Sequence, residues 1–296
     1  MTFERGINPA RVQPQTLDDK TFQKIADIAK REAGLEISMG KKSMVLTRLA
    51  PLLRAKSLRT FQDYISLVTA PDGASELKQM ISALTTNVSH FFREEHHFDH
   101  LAKAVGPRLK QRAAQGDPIR IWSAGCSNGQ EPLSIAITLA EIGLTADNSD
   151  TKILATDIDQ KVIQFARRAT YPAQMTNGLD DTRRNRFFDV TEQGLLASAE
   201  LRNMISYREL NLLHTWPMKA QFDVVFCRNV VIYFDATTQN TLWGKFAGVL
   251  RTGATMYLGH SERLSADYAH KFSTCGTTSY ERAADEHSLT CQGEKR

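Results

Sequence analysis

The stretch IWSAGCSNGQEP, which runs from Ile121 to Pro132, decides the fold class of this chain. A short apolar run ends at Gly125, and apolar residues recur at helical spacing after Gly129, so the stretch predicts a strand, a glycine turn and a helix. Glycines let the backbone bend tightly and let a ligand approach the main chain, while the helix N-terminus offers free N–H groups. The turn therefore predicts a site for a cofactor that carries a sugar and a polar tail.

An acidic residue ends the next predicted strand. The run from Ile153 to Thr156 is mostly apolar and leads into Asp157, which places a carboxylate where a ribose presents its hydroxyls. The glycine spacing differs from G-x-G-x-x-G, so a nicotinamide dinucleotide is disfavoured. A glycine turn and a later acid also occur where a strand is merely connected to a helix, and at this point both interpretations remain open.

Three more segments favour a cofactor site over a simple connection between strand and helix. LTTNVSHFFRE occupies residues 84–94, whereas CRNVVIYFD (227–235) and GHSE (259–262) each follow a buried-strand pattern. Polar groups at the carboxyl ends of strands line the ligand-binding edge of an open α/β sheet. Together with the glycine turn, these segments resemble the CheR family of bacterial chemotaxis receptor methyltransferases, in the family's order and from about Phe22 to about Tyr280.

The resemblance implies an α/β fold, with a Rossmann-like S-adenosylmethionine-dependent methyltransferase sheet, an N-terminal helical domain and a small antiparallel β insertion. Helical apolar spacing before residue 84 agrees with the helical domain. We expect a substrate-recognition domain at residues 15–90, a methyltransferase domain at 91–285 with the insertion at about 172–208, and a disordered polar tail at 286–296.

The alternation of strand and helix breaks between Tyr171 and Leu213. Short runs at Phe187–Val190, Gly194–Leu196 and Met204–Tyr207, divided by turn residues, predict the strands of the insertion. In the CheR family a β-subdomain lies here and, in some members, docks to a peptide at the receptor's C-terminal tail. The resemblance thus implies the cytoplasmic domains of methyl-accepting chemoreceptors as partners, and a receptor tail peptide at the insertion.

The implied reaction is transfer of a methyl group from S-adenosylmethionine to the side-chain carboxylate of receptor glutamates, which gives a methyl ester and S-adenosylhomocysteine. A glutamate has a reference pKa near 4.3, so it is an anion at cytoplasmic pH and requires no base. The enzyme must supply an in-line approach, and positioning can contribute roughly 7–11 kcal/mol. We therefore expect a protein-glutamate O-methyltransferase without a nucleophile–base pair.

Arg93 and Tyr233 match the family's catalytic positions. The planar fork of Arg93 suits a carboxylate, either the methionine end of the cofactor or the glutamate, and Tyr233 is suited to orient a cationic donor. The alternatives are a surface arginine paired with Glu94 or Glu95, and a core tyrosine. The family's cofactor-binding positions correspond here to Asn87, Ser89, Arg93, Glu131, Asp157, Asn211, Leu212, Arg228 and Asn229. Ser89 stands in place of the family's usual threonine and keeps the hydroxyl, and a cap or turn role is the alternative for any one of these polar residues.

The helical domain offers basic side chains that complement acidic receptor helices. They are Lys41, Lys42, Arg48, Arg54, Lys56 and Arg59. A solvated charged face explains the same run. Pro51 falls where the family commonly has a basic residue in a recognition helix, and a proline inside a helix removes a hydrogen bond and kinks it, at about 3 kcal/mol. Arg48 and Arg54 are the candidates for substrate binding.

Four histidines lie close together in the sequence, at positions 90, 96, 97 and 100. His96 and His100 share one helical face at i, i+4 spacing, which raises the possibility of a metal site. No H-E-x-x-H word and no third carboxylate ligand accompany them, and the family's chemistry requires no metal. We expect no metal, and a helix that packs beside the cofactor site.

The composition agrees with a cytoplasmic enzyme without identifying one. With 37 basic and 33 acidic side chains, the net charge of +4 is too mild to argue for nucleic acid. Cys126, Cys227, Cys275 and Cys291 include no C-x-x-C pair, so neither a zinc site nor a disulfide framework is predicted. The sequence lacks a signal-like N-terminus and an apolar run of about 18 residues, so we expect a soluble, cytoplasmic monomer without direct membrane insertion.

Two rival classes are weighed against this interpretation. A nucleic-acid methyltransferase is compatible with the slightly basic pI, but it usually has an N/D-P-P-Y/F word where this chain has CRNV at 227–230. A non-catalytic scaffold that binds the cofactor and a receptor is the other rival. The presence of both Arg93 and Tyr233 disfavours the scaffold, and no nucleic-acid partner is expected.

Overall fold

The computed structural model describes residues 16–284, and the contacts among them divide this part of the chain into two compact units, one up to Thr85 and one from Thr86 onward. The boundary between the units lies after Thr85, whereas the sequence analysis placed it after residue 90. The predicted tail at 286–296 lies outside the described residues. None of the helices within residues 16–284 has the length and apolar character needed to cross a bilayer.

The first unit is built of helices, as its apolar spacing predicts. They are α1 (Asp19–Ala33), α2 (Lys42–Ala55), α3 (Phe61–Val68) and α4 (Ala74–Leu84). Helix α1 begins where the Asp18 side chain accepts a hydrogen bond from the backbone N–H of Thr21, and it ends at Gly34, whose φ of 70° is left-handed. The apolar stripe of α1, including Phe22 and Ile25, is buried.

Pro51 lies inside α2 and does not end that helix, which continues to Ala55. The proline ring faces outward, because the residue is exposed. The opposite side of α2 carries the buried residues Val45, Leu49 and Leu53. Burial of this apolar side holds the helix together across the position where proline removes a backbone hydrogen bond.

The second unit contains two sheets and seven α-helices among its described residues. The strands are β1 (Ile119–Ala124), β2 (Thr151–Asp157), β3 (Thr170–Tyr171), β4 (Phe188–Thr191), β5 (Gly194–Ala197), β6 (Ile205–Glu209), β7 (Phe222–Cys227), β8 (Leu250–Leu258), β9 (Phe272–Gly276) and β10 (Ser279–Arg282). The helices are α5 (His96–His100), α6 (Gly106–Ala114), α7 (Gln130–Glu141), α8 (Gln160–Arg168), α9 (Asp181–Phe187), α10 (Ala199–Arg202) and α11 (Ala236–Val249).

The large sheet has the strand order β6-β2-β1-β7-β8-β10-β9. Strands β6, β2, β1, β7 and β8 run parallel, and β10 and β9 form an antiparallel edge. The chain builds outward from β1 to β2 and β6, and then returns to pair β7 with the other side of β1. This reversal makes the carboxyl ends of β1 and β7 the topological switch point, where open α/β sheets bind their ligands.

Both faces of the large sheet are covered. Ile121 of β1 packs with Leu133 of α7 in one apolar cluster, whereas its neighbour Trp122 packs with Trp243 and Phe246 of α11 in the other. Successive strand residues point to opposite faces, so a strand covered on both sides is apolar throughout. The burial of every residue of β1 from Ile121 to Ala124 thus follows from its central position.

The insertion is a small antiparallel sheet with the strand order β3-β5-β4. The prediction of two strands near residues 187–190 and 194–196 is confirmed by β4 and β5. The assignment of Met204–Tyr207 to the insertion is wrong, because Ile205–Glu209 forms the edge strand β6 of the large sheet, parallel to β2. Thr170–Tyr171 supplies the third insertion strand instead. A short apolar run indicates a strand but carries no information about which sheet it joins.

Candidate functional site

The glycine turn joins β1 to α7. Gly125 and Gly129 have φ values of 86° and 89°, which favour glycine. The backbone N–H of Gly125 donates to the Thr156 carbonyl at 2.8 Å, and a Cβ at Gly125 would overlap the side chain of Val230. A Cβ at Gly129 would lie 2.8 Å from the Tyr171 hydroxyl. These glycines are therefore needed for the fold's own close packing at the turn, in addition to any approach of a ligand.

Asp157 ends β2 beside this turn. Its two carboxylate oxygens accept hydrogen bonds from the backbone N–H groups of Ser127 and Asp159, both at 2.9 Å. Burial raises the pKa of Asp157 to about 6, although these two N–H bonds act in the opposite direction. Asn87 closes the same corner, since its amide donates to Asp159 at 2.8 Å and its carbonyl accepts from the Ser127 hydroxyl at 2.9 Å.

A buried ion pair lies at the switch point. Glu131, in the first turn of α7, is 3.1 Å from the guanidinium Nε of Arg228, which follows β7, and Glu131 also accepts from the Ser123 hydroxyl at 2.7 Å. The same guanidinium donates to the Arg93 carbonyl at 2.5 Å and lies 3.2 Å from His97 Nδ1. Burial raises the pKa of Glu131, and the adjacent Arg228 opposes that shift. Arg228 thus joins β7, α7 and the segment that carries Arg93.

Arg93 and Tyr233 are both half-buried. The Arg93 guanidinium donates to the Val88 carbonyl at 3.2 Å. Within residues 16–284 it forms no ion pair with Glu94 or Glu95, which instead lie close to other partners. The alternative of a surface arginine paired with those acids is therefore wrong. Tyr233 ends a 3-10 turn that begins at residue 231 and packs at the border of an apolar cluster.

The remaining candidate residues surround the same edge of the large sheet. Asn211 and Leu212 follow β6, and the buried Leu212 accepts from the Lys245 ammonium at 2.6 Å through its carbonyl. Asn229 lies at φ 59° in the turn after β7. The half-buried Ser89 offers its carbonyl to the Gln130 side chain at 3.5 Å. Strands β1, β2, β6 and β7 therefore bring their carboxyl-end residues to one edge; the sequence predicts this for β1, β2 and β7, whereas it assigned the β6 segment to the insertion.

The two substrate-binding candidates lie on α2 in the helical unit. Arg48 donates to the carbonyls of Leu84 and Thr85 at 2.8 and 2.9 Å, so it caps the end of α4. Arg54 is exposed on the same helix. Two other members of the basic set are engaged in ion pairs, Lys42 with an acid of α1 and Lys56 with the buried Glu76 at 2.9 Å. The geometry gives Arg48 a structural task, while Arg54 remains a candidate for substrate contact.

The histidines do not assemble as their sequence spacing suggested. His97 is buried, its Nε2 lies 2.9 Å from the Thr278 hydroxyl, and burial lowers its pKa to about 3. His100 Nδ1 instead contacts the Tyr257 hydroxyl at 2.9 Å. Glu94, His96 and His97 have one potential ligand atom each within 4.8 Å of one another, but the Arg228 guanidinium beside His97 opposes a cation there. The helix around His97 packs against the candidate site.

Glu262 is the residue that sequence reasoning missed. Its segment GHSE was singled out, but no member of that segment received a role. Glu262 is 3% exposed and accepts hydrogen bonds from five backbone N–H groups, of which three belong to Asn229, Val230 and Val231 at 2.9 Å. The signal available in the sequence is a glutamate three residues after Gly259, the glycine that follows β8. The amides that Glu262 binds in the turn after β7 are distant along the chain, so the sequence does not indicate them.

A mostly parallel sheet with a glycine turn after β1, a buried acid at the end of β2 and a buried arginine after β7 defines the class of Rossmann-like α/β proteins that bind a nucleoside-type cofactor at the switch point. Comparison with protein families is more specific. The model of the CheR methyltransferase SAM-binding domain matches residues 87–281, and that of the CheR methyltransferase all-alpha domain matches residues 20–85. The chain belongs to the CheR methyltransferase family.

Curated relatives agree with this membership. A probable chemotaxis protein methyltransferase from Rhizobium etli is 44% identical over 253 residues, which cover 84% of this chain and 94% of the relative. The chemotaxis protein methyltransferase of Salmonella typhimurium is 36% identical over 280 residues, covering 93% of this chain and 94% of the relative. That of Escherichia coli is 35% identical over 274 residues, with coverage of 91% and 93%. The resemblance drawn from the sequence segments is confirmed.

Proposed function

We propose that this chain transfers a methyl group from S-adenosylmethionine to the side-chain carboxylate of glutamates in the cytoplasmic domains of chemoreceptors, giving glutamate methyl esters and S-adenosylhomocysteine. The observation that carries the proposal is that Glu131 and Arg228 pair at the switch point of the large sheet, while Asp157 ends the neighbouring strand β2. Family membership and relatives that span nearly the same length support it.

The residues at this edge suit the proposed donor. Each oxygen of Asp157 accepts one backbone N–H, which leaves lone pairs for the hydroxyls of a ribose. The buried Leu212 offers an apolar contact for a flat base, with the polar Asn211 next to it. Glu131 places a carboxylate near the turn for an ammonium group. When bound, S-adenosylmethionine would supply a methyl group on a positively charged sulfur.

Arg93 and Tyr233 are proposed as the catalytic pair. Arg93 holds a carboxylate bidentately, and Tyr233 presents its ring or hydroxyl beside the transferring group. The accepting glutamate requires no base because it is ionised at neutral pH. Opposite charges are neutralised as the methyl group moves, so a partly buried position for both side chains favours the reaction. The chain's contribution is alignment and exclusion of water.

Partners follow from the same proposal. Arg54, on the exposed side of α2, contacts acidic receptor helices, and the insertion takes up a receptor tail peptide. Strand β4 is an edge strand of the insertion, and its Val190 is 87% exposed, which leaves the strand accessible for pairing with an extended peptide. The chain acts in the cytoplasm as a monomer. Calorimetric titration with receptor tail peptides tests peptide binding by the insertion, and light scattering tests the monomeric state.

The central experiment measures transfer of a radiolabelled methyl group from S-adenosylmethionine to receptor cytoplasmic fragments. We expect base-labile label on receptor glutamates, because carboxylate methyl esters hydrolyse in alkali. Binding of S-adenosylhomocysteine without transfer to any of several receptors would point to the scaffold alternative. Labelling of DNA or RNA would point to a nucleic-acid methyltransferase. Receptor fragments whose target glutamates are replaced by alanine serve as the control for specific labelling.

A further inference from the structure

We propose that Glu262 is a positioning residue for methyl transfer, because it holds the turn after β7 in the shape that presents Tyr233. The inference rests on the function proposed above. Glu262 itself contacts the backbone of the turn, since its carboxylate accepts hydrogen bonds from backbone N–H groups. It acts through the backbone of residues 229–232, and Tyr233 is the next residue of the same turn.

The contacts of Glu262 form one compact cluster. Oε2 accepts from the N–H groups of Gly259 at 2.6 Å and Asn229 at 2.9 Å, and Oε1 accepts from those of Val230 at 2.9 Å, Val231 at 2.9 Å and Ile232 at 3.3 Å. Four consecutive amides that point to one centre form a concave site for an anion. The Glu262 side chain fills that site with a carboxylate supplied by the segment after β8.

A buried carboxylate is stabilised only where its charge is met by donors. Burial raises the pKa of Glu262, and the N–H bonds from Gly259 and the β7 turn act against that shift. The dependence is mutual, because the same amides would have no partner without the carboxylate. The segment after β8 and the turn after β7 are thus fixed to each other by one side chain.

The other side of the turn is also fixed. Val230 packs directly on Gly125, where a Cβ would overlap the valine side chain. A Cβ at Gly259 would lie 2.8 Å from both the Asn229 side-chain Nδ2 and Glu262 Oε2, so no larger residue fits between them. Asn229 adopts φ 59°, a conformation that non-glycine residues maintain only when their surroundings require it. The turn is therefore held between the glycine turn of β1 and the carboxylate of Glu262.

Tyr233 depends on this support. Within residues 16–284 its hydroxyl forms no hydrogen bond that would fix the ring, and its backbone N–H donates to the Val230 carbonyl at 3.3 Å. Apart from the packing of its ring against the apolar cluster, the position of the Tyr233 side chain is thus set by the backbone of residues 229–232. Since a displacement of about 1 Å can lower a rate by roughly 100-fold, a change at Glu262 reaches the reaction through Tyr233.

The first test measures amide hydrogen exchange by NMR in the full chain and in Glu262→Gln and Glu262→Ala. The glutamine keeps an oxygen for the three amides of residues 230–232 and turns its own N–H₂ toward Asn229 and Gly259. We expect exchange at least about ten-fold faster at those two amides in Glu262→Gln, and at all five in Glu262→Ala. Glu281→Gln, on β10, is the matched control, because this glutamate is 44% exposed and pairs with Arg108.

The second test is a double-mutant cycle of Glu262→Gln with Tyr233→Phe, scored by kcat for receptor methylation. We expect Glu262→Gln alone to lower kcat at least about ten-fold while affinity for S-adenosylhomocysteine stays within about five-fold. In the Tyr233→Phe background the same change should cost less than about three-fold, since both act on one step. Glu262→Asp keeps the charge and serves if the glutamine variant does not fold, with an intermediate kcat expected.

Unchanged exchange at residues 229–232 in both Glu262 variants would overturn the inference. Additive losses of kcat in the cycle would do the same, because a purely structural residue lowers activity independently of Tyr233. If the unmodified chain transfers no methyl group to receptors, the proposed function fails. The exchange measurement then still shows whether Glu262 holds the turn after β7, because it requires no substrate.

Discussion

Replacement of Arg93 by alanine tests the candidate site with a change that the fold tolerates. The guanidinium donates to one backbone carbonyl, that of Val88, at 3.2 Å, and the side chain is half-buried. A partly exposed hydrogen bond of this kind contributes about 1 kcal/mol to stability. For a chain of this size such a loss lowers the melting temperature by roughly 2–4 °C. The variant is therefore expected to stay folded at the assay temperature.

The expected effect on catalysis is larger. A bidentate arginine makes two charge-assisted hydrogen bonds to a carboxylate, each contributing about 1.5 kcal/mol. Their loss removes about 3 kcal/mol of transition-state stabilisation, which corresponds to a decrease of roughly 100-fold in kcat/KM. Methyl transfer to a receptor fragment and thermal unfolding of the same preparation give the two quantities to be compared.

Arg167→Ala is the matched control for Arg93→Ala. Arg167, on α8, also donates to a backbone carbonyl, that of Tyr207 at 2.9 Å, and it is exposed. We expect a similar small decrease in melting temperature and unchanged methyl transfer in this control. If Arg93→Ala lowers activity only in proportion to its loss of folded protein, or no more than Arg167→Ala does, the assignment of Arg93 to carboxylate binding is wrong.

Four further predictions follow from described contacts. Affinity of the unmodified chain for S-adenosylhomocysteine should fall as the pH is lowered through about 6. Burial raises the pKa of Asp157 to about 6, and the protonated carboxyl group accepts hydrogen bonds from ribose hydroxyls less well. In calorimetry, Asp157→Asn should bind S-adenosylhomocysteine weakly and lose this pH dependence. The stability that Asp157 contributes below its ordinary pKa should be lost as the pH rises through about 6. Arg228→Met should lower the free energy of unfolding by about 3–5 kcal/mol in urea titrations, since it leaves the Glu131 carboxylate buried without its partner; a loss below about 1 kcal/mol would contradict this. Arg54→Ala should raise the KM for receptor with an unchanged melting temperature, whereas Arg48→Ala should lower the melting temperature, and the reverse pattern would exchange their roles.

Local sequence patterns predicted the elements that carry the site. The run around Trp122 is apolar because both faces of β1 are covered, and the glycines that follow require left-handed backbone, so strand, turn and helix all leave local signals. The side chains after β1, β2 and β7 could be placed at one edge because carboxyl ends of parallel strands coincide. Those parts of the site depend on short-range chemistry and on a common topology.

Contacts between distant segments were beyond the same reasoning. Ile205 pairs in register with Ile153 in β2, but nothing in its own run distinguishes that partner from the insertion. The hydrogen bonds from Arg48 to the end of α4 span 36 and 37 residues, and those to Glu262 from the β7 turn span 30 to 33. A charged residue in a sequence indicates that its side chain needs a polar partner. Only the fold shows whether that partner is the protein backbone or a substrate.

All nine candidate cofactor-binding residues, from Asn87 to Asn229, belong to the unit that starts at Thr86, whereas Arg54 belongs to the helical unit. On the function proposed above, substitutions in the helices are therefore expected to alter which proteins are accepted without changing how the methyl donor is bound. Exchange of residues 20–85 between homologues is then expected to change the protein that is methylated, while the methyltransferase domain keeps its methyl donor.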